Sequence, residues 1–170
     1  MFEDTIAAIS TAMAPSGIGI VRISGPEAFA IADKIYRSPK QGKKLADQKA
    51  YTVHYGRIFD QGEDIDEVLV MLMRNPHSYT GEDTVEIDCH GGVLATRKVL
   101  EAAIHAGARP AEPGEYTKRA FLNGRMDLSQ AEAVMDIISA KNEYALKSSF
   151  RQLKGSLSAR IGEVRSALLY

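Results

Sequence analysis

From Thr84 to His90 the chain alternates, with Val85, Ile87 and Cys89 on one side and Glu86, Asp88 and His90 on the other. A period of two marks a strand with unlike faces, so one face enters a core and the other does not. The three ionisable groups are then spaced about 7 Å apart along the strand. Gly91-Gly92 follows and lets the backbone turn into a helical pattern over Val93–Ala106, which Gly107 closes. A polar strand face that runs into a helix N-terminus suits a polar ligand. The same alternation also describes the solvated face of an antiparallel sheet.

Upstream, Thr5–Ser10 is a short apolar run and Ile18–Ser24 reads as a strand. Its period puts Arg22 beside Ile18 and Ile20, so a guanidinium projects from an apolar surface and needs an anionic partner. That partner is a carboxylate such as Glu86, or a ligand, unless the head group reaches water over its own stem. Pro26 opens a helix carrying Ala28, Ile31, Ala32 and Ile35 on one stripe, and the helix ends before Ser38-Pro39. Lys40–Lys49 reads as a solvated, lysine-rich loop. Tyr51–Asp60 and Ile65–Arg74 are strands joined by Gln61–Asp64, and Val68–Met73, apolar on both sides, predicts a central strand covered on both faces. Met71, Met73 and Met126 are expected in the core.

Beyond Gly107, Arg109–Glu115 reads as an irregular connector stiffened by Pro110 and Pro113. Tyr116–Leu122 fits a short helix, and Asn123-Gly124-Arg125 is a turn that presents a cation. Two overlapping capping boxes, Asp127–Gln130 and Ser129–Glu132, start a further helix with the stripe Ala131, Val134, Met135 and Ile138. From Asn142 one long helix is expected, with Leu146, Phe150, Leu153, Leu157, Ile161, Val164 and Leu168 on its apolar side, weakened at Gly155 and Gly162. The stripe still runs at Leu168-Leu169-Tyr170, so a cut within a larger helical bundle is expected.

With 21 basic and 22 acidic side chains the net charge is −1, which excludes a global basic footprint for nucleic acid. The lone Cys89 excludes an internal disulfide and a cysteine-based zinc site, and no metal site is expected. The acidic start Met1-Phe2-Glu3-Asp4 is unlike a secretory signal, and no apolar run approaches the ~20 residues that span a bilayer. A cytoplasmic protein without membrane attachment is expected.

Several ordered segments carry a resemblance. They are Asp4–Ala8, Gly19–Gly25, Ser78–Asp83 with Glu86 and His90-Gly91-Gly92, Arg109-Pro110 through Pro113-Gly114-Glu115, Arg119–Gly124 and Asp127–Ala133. Together the chain resembles the N-terminal part of the MnmE (TrmE) family of bacterial tRNA modification GTPases. The resemblance implies an α+β chain: a mixed β-sheet folate-binding and dimerisation domain with flanking helices over residues 1–122, then the first helices of a truncated helical bundle over residues 123–170. It further implies a tetrahydrofolate derivative of the 5-formyl type as one-carbon donor for C5 modification of the wobble uridine of tRNA. A homodimer, the FAD-dependent partner MnmG, and tRNA reached through that complex are the implied partners.

Matched motif by motif, the implied folate-contacting residues are Arg22, Glu86 and Arg125; position 125 is often Lys in the family, so charge is kept while donor geometry changes. A pterin offers paired N–H donors that a carboxylate such as Glu86 can accept, and its glutamate tail calls for cations such as Arg22 and Arg125. His90, Asp88 and Asn123 are expected to support the pocket, and Cys89 to face the core without a catalytic role. No catalytic residue is assigned. The chain holds no Gly-x-x-x-x-Gly-Lys-Ser/Thr, so the family's GTP, Mg2+ and K+ sites, like its C-terminal Cys-x-Gly-Lys, are expected outside it, and no GTP turnover or strong tRNA binding is expected of it alone. Two other functions fit the residues: a folate-dependent aminomethyltransferase-like domain, and an interaction module with no ligand.

Overall fold

The alternating segment forms the strand it predicts, with the same bounds. The computed structural model describes residues 2–168, without the side chains of residues 156–160 and 162, and the chain divides into two units, Met1–Pro113 and Gly114–Tyr170. The first unit contains β1 (Ile6–Ile9), β2 (Ile18–Ser24), α1 (Ala28–Ile35), β3 (Tyr36–Arg37), β4 (Val53–Asp60), β5 (Glu63–Met73), β6 (Thr84–His90), α2 (Val93–His105) and β7 (Arg109–Pro110). Its seven strands form one mixed sheet in the order β3-β4-β5-β6-β2-β1-β7. All neighbours are antiparallel except β7, which runs parallel to β1.

Directly opposed residues share a face, so register sorts the sheet into two sides. Val21 opposes Ile87 and Ile23 opposes Val85, while Val70 and Leu72 on β5 oppose Ile87 and Val85 in turn. All six are fully buried against Ala28, Ile31, Ala32 and Ile35 of α1 and Val99, Ala102 and Ala103 of α2. Each large aliphatic chain so placed contributes about 1.5–3 kcal/mol. The core therefore lies between one sheet face and two helices.

The second face carries Tyr55–Leu69–Asp88–Ile20 in one cross-strand row and Val53–Met71–Glu86–Arg22 in the next. Here the expectation for β5 needs correction: β5 is central, but Leu69 is 46% exposed, as are Tyr55 at 50%, Val53 at 58% and Ile18 at 60%. Met71 and Met73 are half-buried at this face rather than in the core; Met126, in the second unit, is half-buried too. Apolarity on both sides of a strand signals burial, and α1 and α2 supply only one cover.

Other differences are local. The β4–β5 connection is a two-residue turn, since Gln61 (φ 49°) and Gly62 (φ 91°) both take the positive φ that a type I′ hairpin requires. Arg109–Pro110 is a strand because its backbone pairs with β1, Arg109 N donating to Thr5 O; proline is tolerated on such an edge. The lysine-rich loop is tied down as well as solvated: Asp33 on α1 accepts from Leu45 N and Ala46 N, and the Leu45 side chain is buried.

The same loop holds a pH-sensitive contact. Lys43 Nζ, which only donates, lies 2.7 Å from His54 Nδ1, so the ring is neutral and its Nε2 proton points to Thr52 Oγ1, also at 2.7 Å. Burial, and then the Lys43 charge, lower the His54 pKa from 6.5. A lowered value means stability that is present above 6.5 and lost as pH falls through the folded-state value. His54→Gln, which keeps an acceptor and a donor, is expected to lose less melting temperature than the parent chain between about pH 7 and pH 5; equal losses would show that His54 contributes nothing to the acid limb.

The second unit contains α3 (Glu115–Leu122), α4 (Leu128–Ser139), α5 (Glu143–Leu153) and α6 (Ser156–Leu168). Of the two overlapping capping boxes, Asp127–Gln130 forms: Asp127 Oδ1 accepts from Gln130 N and Gln130 Oε1 from Asp127 N, both at 2.9 Å. The stripe expected on α4 is displaced. Ala133 is the buried residue there, while Met135 and Ile138 are exposed, because Gln130 and Ser129 turn towards α5 to bond Leu153 O and Gln152 Nε2. The single long helix expected from Asn142 is two helices. Gly155 takes φ +79°, a left-handed stop that ends α5. Leu146, Phe150, Ile161, Val164 and Leu168 are exposed; the Leu157 side chain, Leu169 and Tyr170 lie outside the described residues.

Candidate functional site

Arg22 and Glu86, 64 residues apart in sequence, are register partners on β2 and β6. Arg22 Nε and Nη2 both donate to Glu86 Oε1, at 2.7 and 2.6 Å. Both contacts therefore fall on one oxygen, and among the described residues no hydrogen bond to Oε2 is seen. The Arg22 guanidinium also lies 5.2 Å from the centroid of the Tyr79 ring, within cation–π range. Glu86 is 8% exposed, so the pair is partly desolvated.

The loop that carries Tyr79 is held by a buried hydroxyl cluster. Ser24 Oγ lies 2.7 Å from Thr80 Oγ1 and donates to Glu82 Oε2 at 2.8 Å, with Thr84 Oγ1 at 3.4 Å. Ser24, Thr80 and Thr84 are fully buried and Glu82 nearly so. At the loop's end, Gly25 N donates to Asp83 O, and Asn75 N to Asp83 Oδ1. Sequence reasoning missed Tyr79 and this cluster. The available signal was that Ser78, Thr80, Glu82 and Thr84 carry the polar alternation of β6 back into the loop.

Further along the open face, Asp88 sits between Ile20 and Leu69. Its Oδ1 is enclosed without a hydrogen-bond partner, and burial, then the Glu86 charge, raise its pKa. It helps to line a groove of about 320 Å³ with Ile18, Tyr55, Glu67, Leu69 and His90. His90 turns away to β5: its backbone N and Nδ1 both meet the Asp66 carboxylate, at 2.8 and 2.7 Å, and this bond raises its pKa. Cys89 points to the core side, where Sγ donates to Gly19 O and burial raises the thiol pKa, so it has the character of an inert, packed cysteine.

Arg125 belongs to the second unit. It follows Gly124 (φ +72°), its N donates to Ala120 O at 2.8 Å, and it is exposed, as is Asn123 before it. In the same unit the wholly buried Arg119 pairs with Glu115 at 3.0 Å. The structure thus brings Arg22 and Glu86 into contact and places Arg125 on a turn of the other unit. Among the described residues no group of His, Cys, Asp and Glu is arranged to hold a metal ion.

Residues 5–125 match the family model described as GTP-binding protein TrmE N-terminus, and residues 128–170 match that of the MnmE helical domain. A tRNA modification GTPase MnmE from Lachnoclostridium phytofermentans is 59% identical over 169 residues, covering 99% of this chain and 37% of that protein. Proteins of the same name from Carboxydothermus hydrogenoformans and Bacillus subtilis are 57% and 54% identical, over 99% and 98% of the chain and 37% and 36% of their own lengths. The chain thus spans little more than a third of the relatives it matches.

Proposed function

The chain belongs to the TrmE/MnmE family of tRNA modification GTPases, and from that premise we propose that its first unit binds a tetrahydrofolate derivative of the 5-formyl type. In the longer protein this ligand is the one-carbon donor for C5 modification of the wobble uridine in tRNA, in concert with MnmG. The observation that carries the reading is the Arg22–Glu86 pair on the open sheet face beside Tyr79, with Oε2 of Glu86 taking no hydrogen bond from the described residues.

Each residue has a role in this reading. Glu86 Oε2 accepts from the pterin N–H donors while Oε1 remains with Arg22, which holds the carboxylate ionised and aimed. Arg22 and Arg125 supply positive charge to the glutamate tail. GTP hydrolysis, with its Mg2+ and K+, is assigned to parts of the family's proteins that lack a counterpart in these 170 residues, as no phosphate-loop motif occurs in them. A cytoplasmic setting fits this role; no helix among the described residues is long and apolar enough to cross a membrane.

Homodimerisation is part of the same proposal, with the folate site near the interface. Exposed Ile18, Val53, Tyr55 and Leu69 form an apolar surface around the polar row, of the kind that marks an interaction site. Light scattering at high micromolar concentration is expected to give twice the 18.5 kDa chain mass, and Leu69→Lys the mass of one chain. A monomeric parent chain would remove this part. Calorimetric titration of 5-formyltetrahydrofolate tests the ligand: saturable binding is expected, weakened by Arg125→Ala, and no heat of binding at any ligand concentration would sink the folate assignment.

A further inference from the structure

Asp88 lies two residues beyond Glu86 on the same strand face, about 7 Å further along. One of its oxygens is enclosed and has no donor. An ionised carboxylate tolerates this poorly, because negative charge spread onto an unsolvated, unbonded oxygen is costly. A neutral acid tolerates it better, since the enclosed atom is then only a carbonyl oxygen and the hydroxyl can face the groove lined by Ile18, Tyr55 and Leu69.

We propose that Asp88 is a specificity-determining hydrogen-bond donor: as a neutral acid it gives its proton to an acceptor atom on the ligand's ring, while Glu86 accepts from the ring's N–H groups. This rests on the folate reading above. A pterin carries N–H donors beside a ring carbonyl and imine nitrogens, so an acceptor and a donor side by side on one strand read its edge, where two carboxylates would meet its acceptors with repulsion. The surrounding charges favour the neutral form. Glu86 on β6 and Glu67 on β5 are acidic, the Arg22 charge on β2 is directed to Glu86 Oε1, Glu67 is shared with Arg57, and His90 is directed to Asp66.

The test measures 5-formyltetrahydrofolate affinity from about pH 4.5, just above the ordinary carboxylate range, to about pH 8.5 for the parent chain, Asp88→Asn and Asp88→Ala. Asn places an amide donor where the hydroxyl stood and does not titrate. The parent is expected to lose affinity by about tenfold or more as pH rises, Asp88→Asn to bind with a flat profile, and Asp88→Ala to bind weakly throughout. Neither variant is expected to unfold, because each removes an unbonded buried acceptor or leaves it as a neutral one. Asp88→Asn as weak as Asp88→Ala, or a parent profile retained in Asp88→Asn, would overturn the proposal while leaving folate binding intact. A parent chain that takes up no folate at any pH would overturn the underlying reading as well.

Discussion

Glu86→Gln is expected to lower affinity for 5-formyltetrahydrofolate by about tenfold or more and to lower stability by about 1–2 kcal/mol. The first effect follows from replacing an acceptor oxygen with an amide that opposes the ligand's N–H groups, in a site where a charged hydrogen bond is worth about 1.5–3 kcal/mol. The second follows because Arg22 keeps an acceptor in the Gln side chain but loses its opposing charge, with Arg22 side-chain exposure at only 22%. The two effects are separable. Arg22→Met in the Glu86→Gln background removes the uncompensated guanidinium, so stability is expected to recover while folate affinity does not. Denaturant unfolding and ligand titration on the parent chain and these two variants decide it. Full affinity in folded Glu86→Gln would contradict the site assignment.

Gly25→Ala is expected to have the larger effect on the fold. Gly25 directly follows β2 at φ +138°, a conformation nearly closed to residues with a side chain, and a Cβ there would stand 2.7 Å from Asp4 O and from Thr5 Cα. Both are backbone atoms that cannot rotate away. The conformational cost of about 1–3 kcal/mol adds to overpacking of about 1–3 kcal/mol. Because Gly25 N holds Asp83 O, displacement there also loosens the loop that sets Tyr79 beside Arg22. Denaturant unfolding is expected to show a loss of about 3 kcal/mol or more, with weaker folate binding in the fraction that stays folded; a loss below about 1 kcal/mol would show that the turn has room to relax.

Features governed by one local period were legible in the sequence. Ile18–Ser24 and Thr84–His90 have the bounds that alternation predicts, and α2 starts at Val93 after its two glycines. The capping box at Asp127 was legible too, although an overlapping pattern at Ser129 competed and only geometry separates them. For Arg22 the need for an anion and a short list of partners were legible. The register that meets it with Glu86 is a non-local fact, fixed by which strands are neighbours.

What was not legible depended on neighbours or on one dihedral. Arg109–Pro110 has no strand pattern of its own and becomes β7 only because β1 offers an edge. Gly155 reads as a weak helical residue until its positive φ shows it to be a stop. Leu69 and Met135 have the residue type of a core position, yet each faces away from the layers that the described residues supply. The hydroxyl cluster beneath the Tyr79 loop escaped for a further reason: Ser24 and Glu82 lie 58 residues apart, and polar residues in a loop announce solvent, not burial.

On the reading proposed here, the open sheet face around Arg22 and Glu86 holds the pterin of a reduced folate. A crystal structure of the chain grown with 5-formyltetrahydrofolate tests it most directly. The pterin ring is expected on that face, with its N–H groups within hydrogen-bond distance of Glu86 Oε2 and Arg22 still on Oε1; a ligand bound elsewhere, with the Arg22–Glu86 pair untouched, would overturn the proposal.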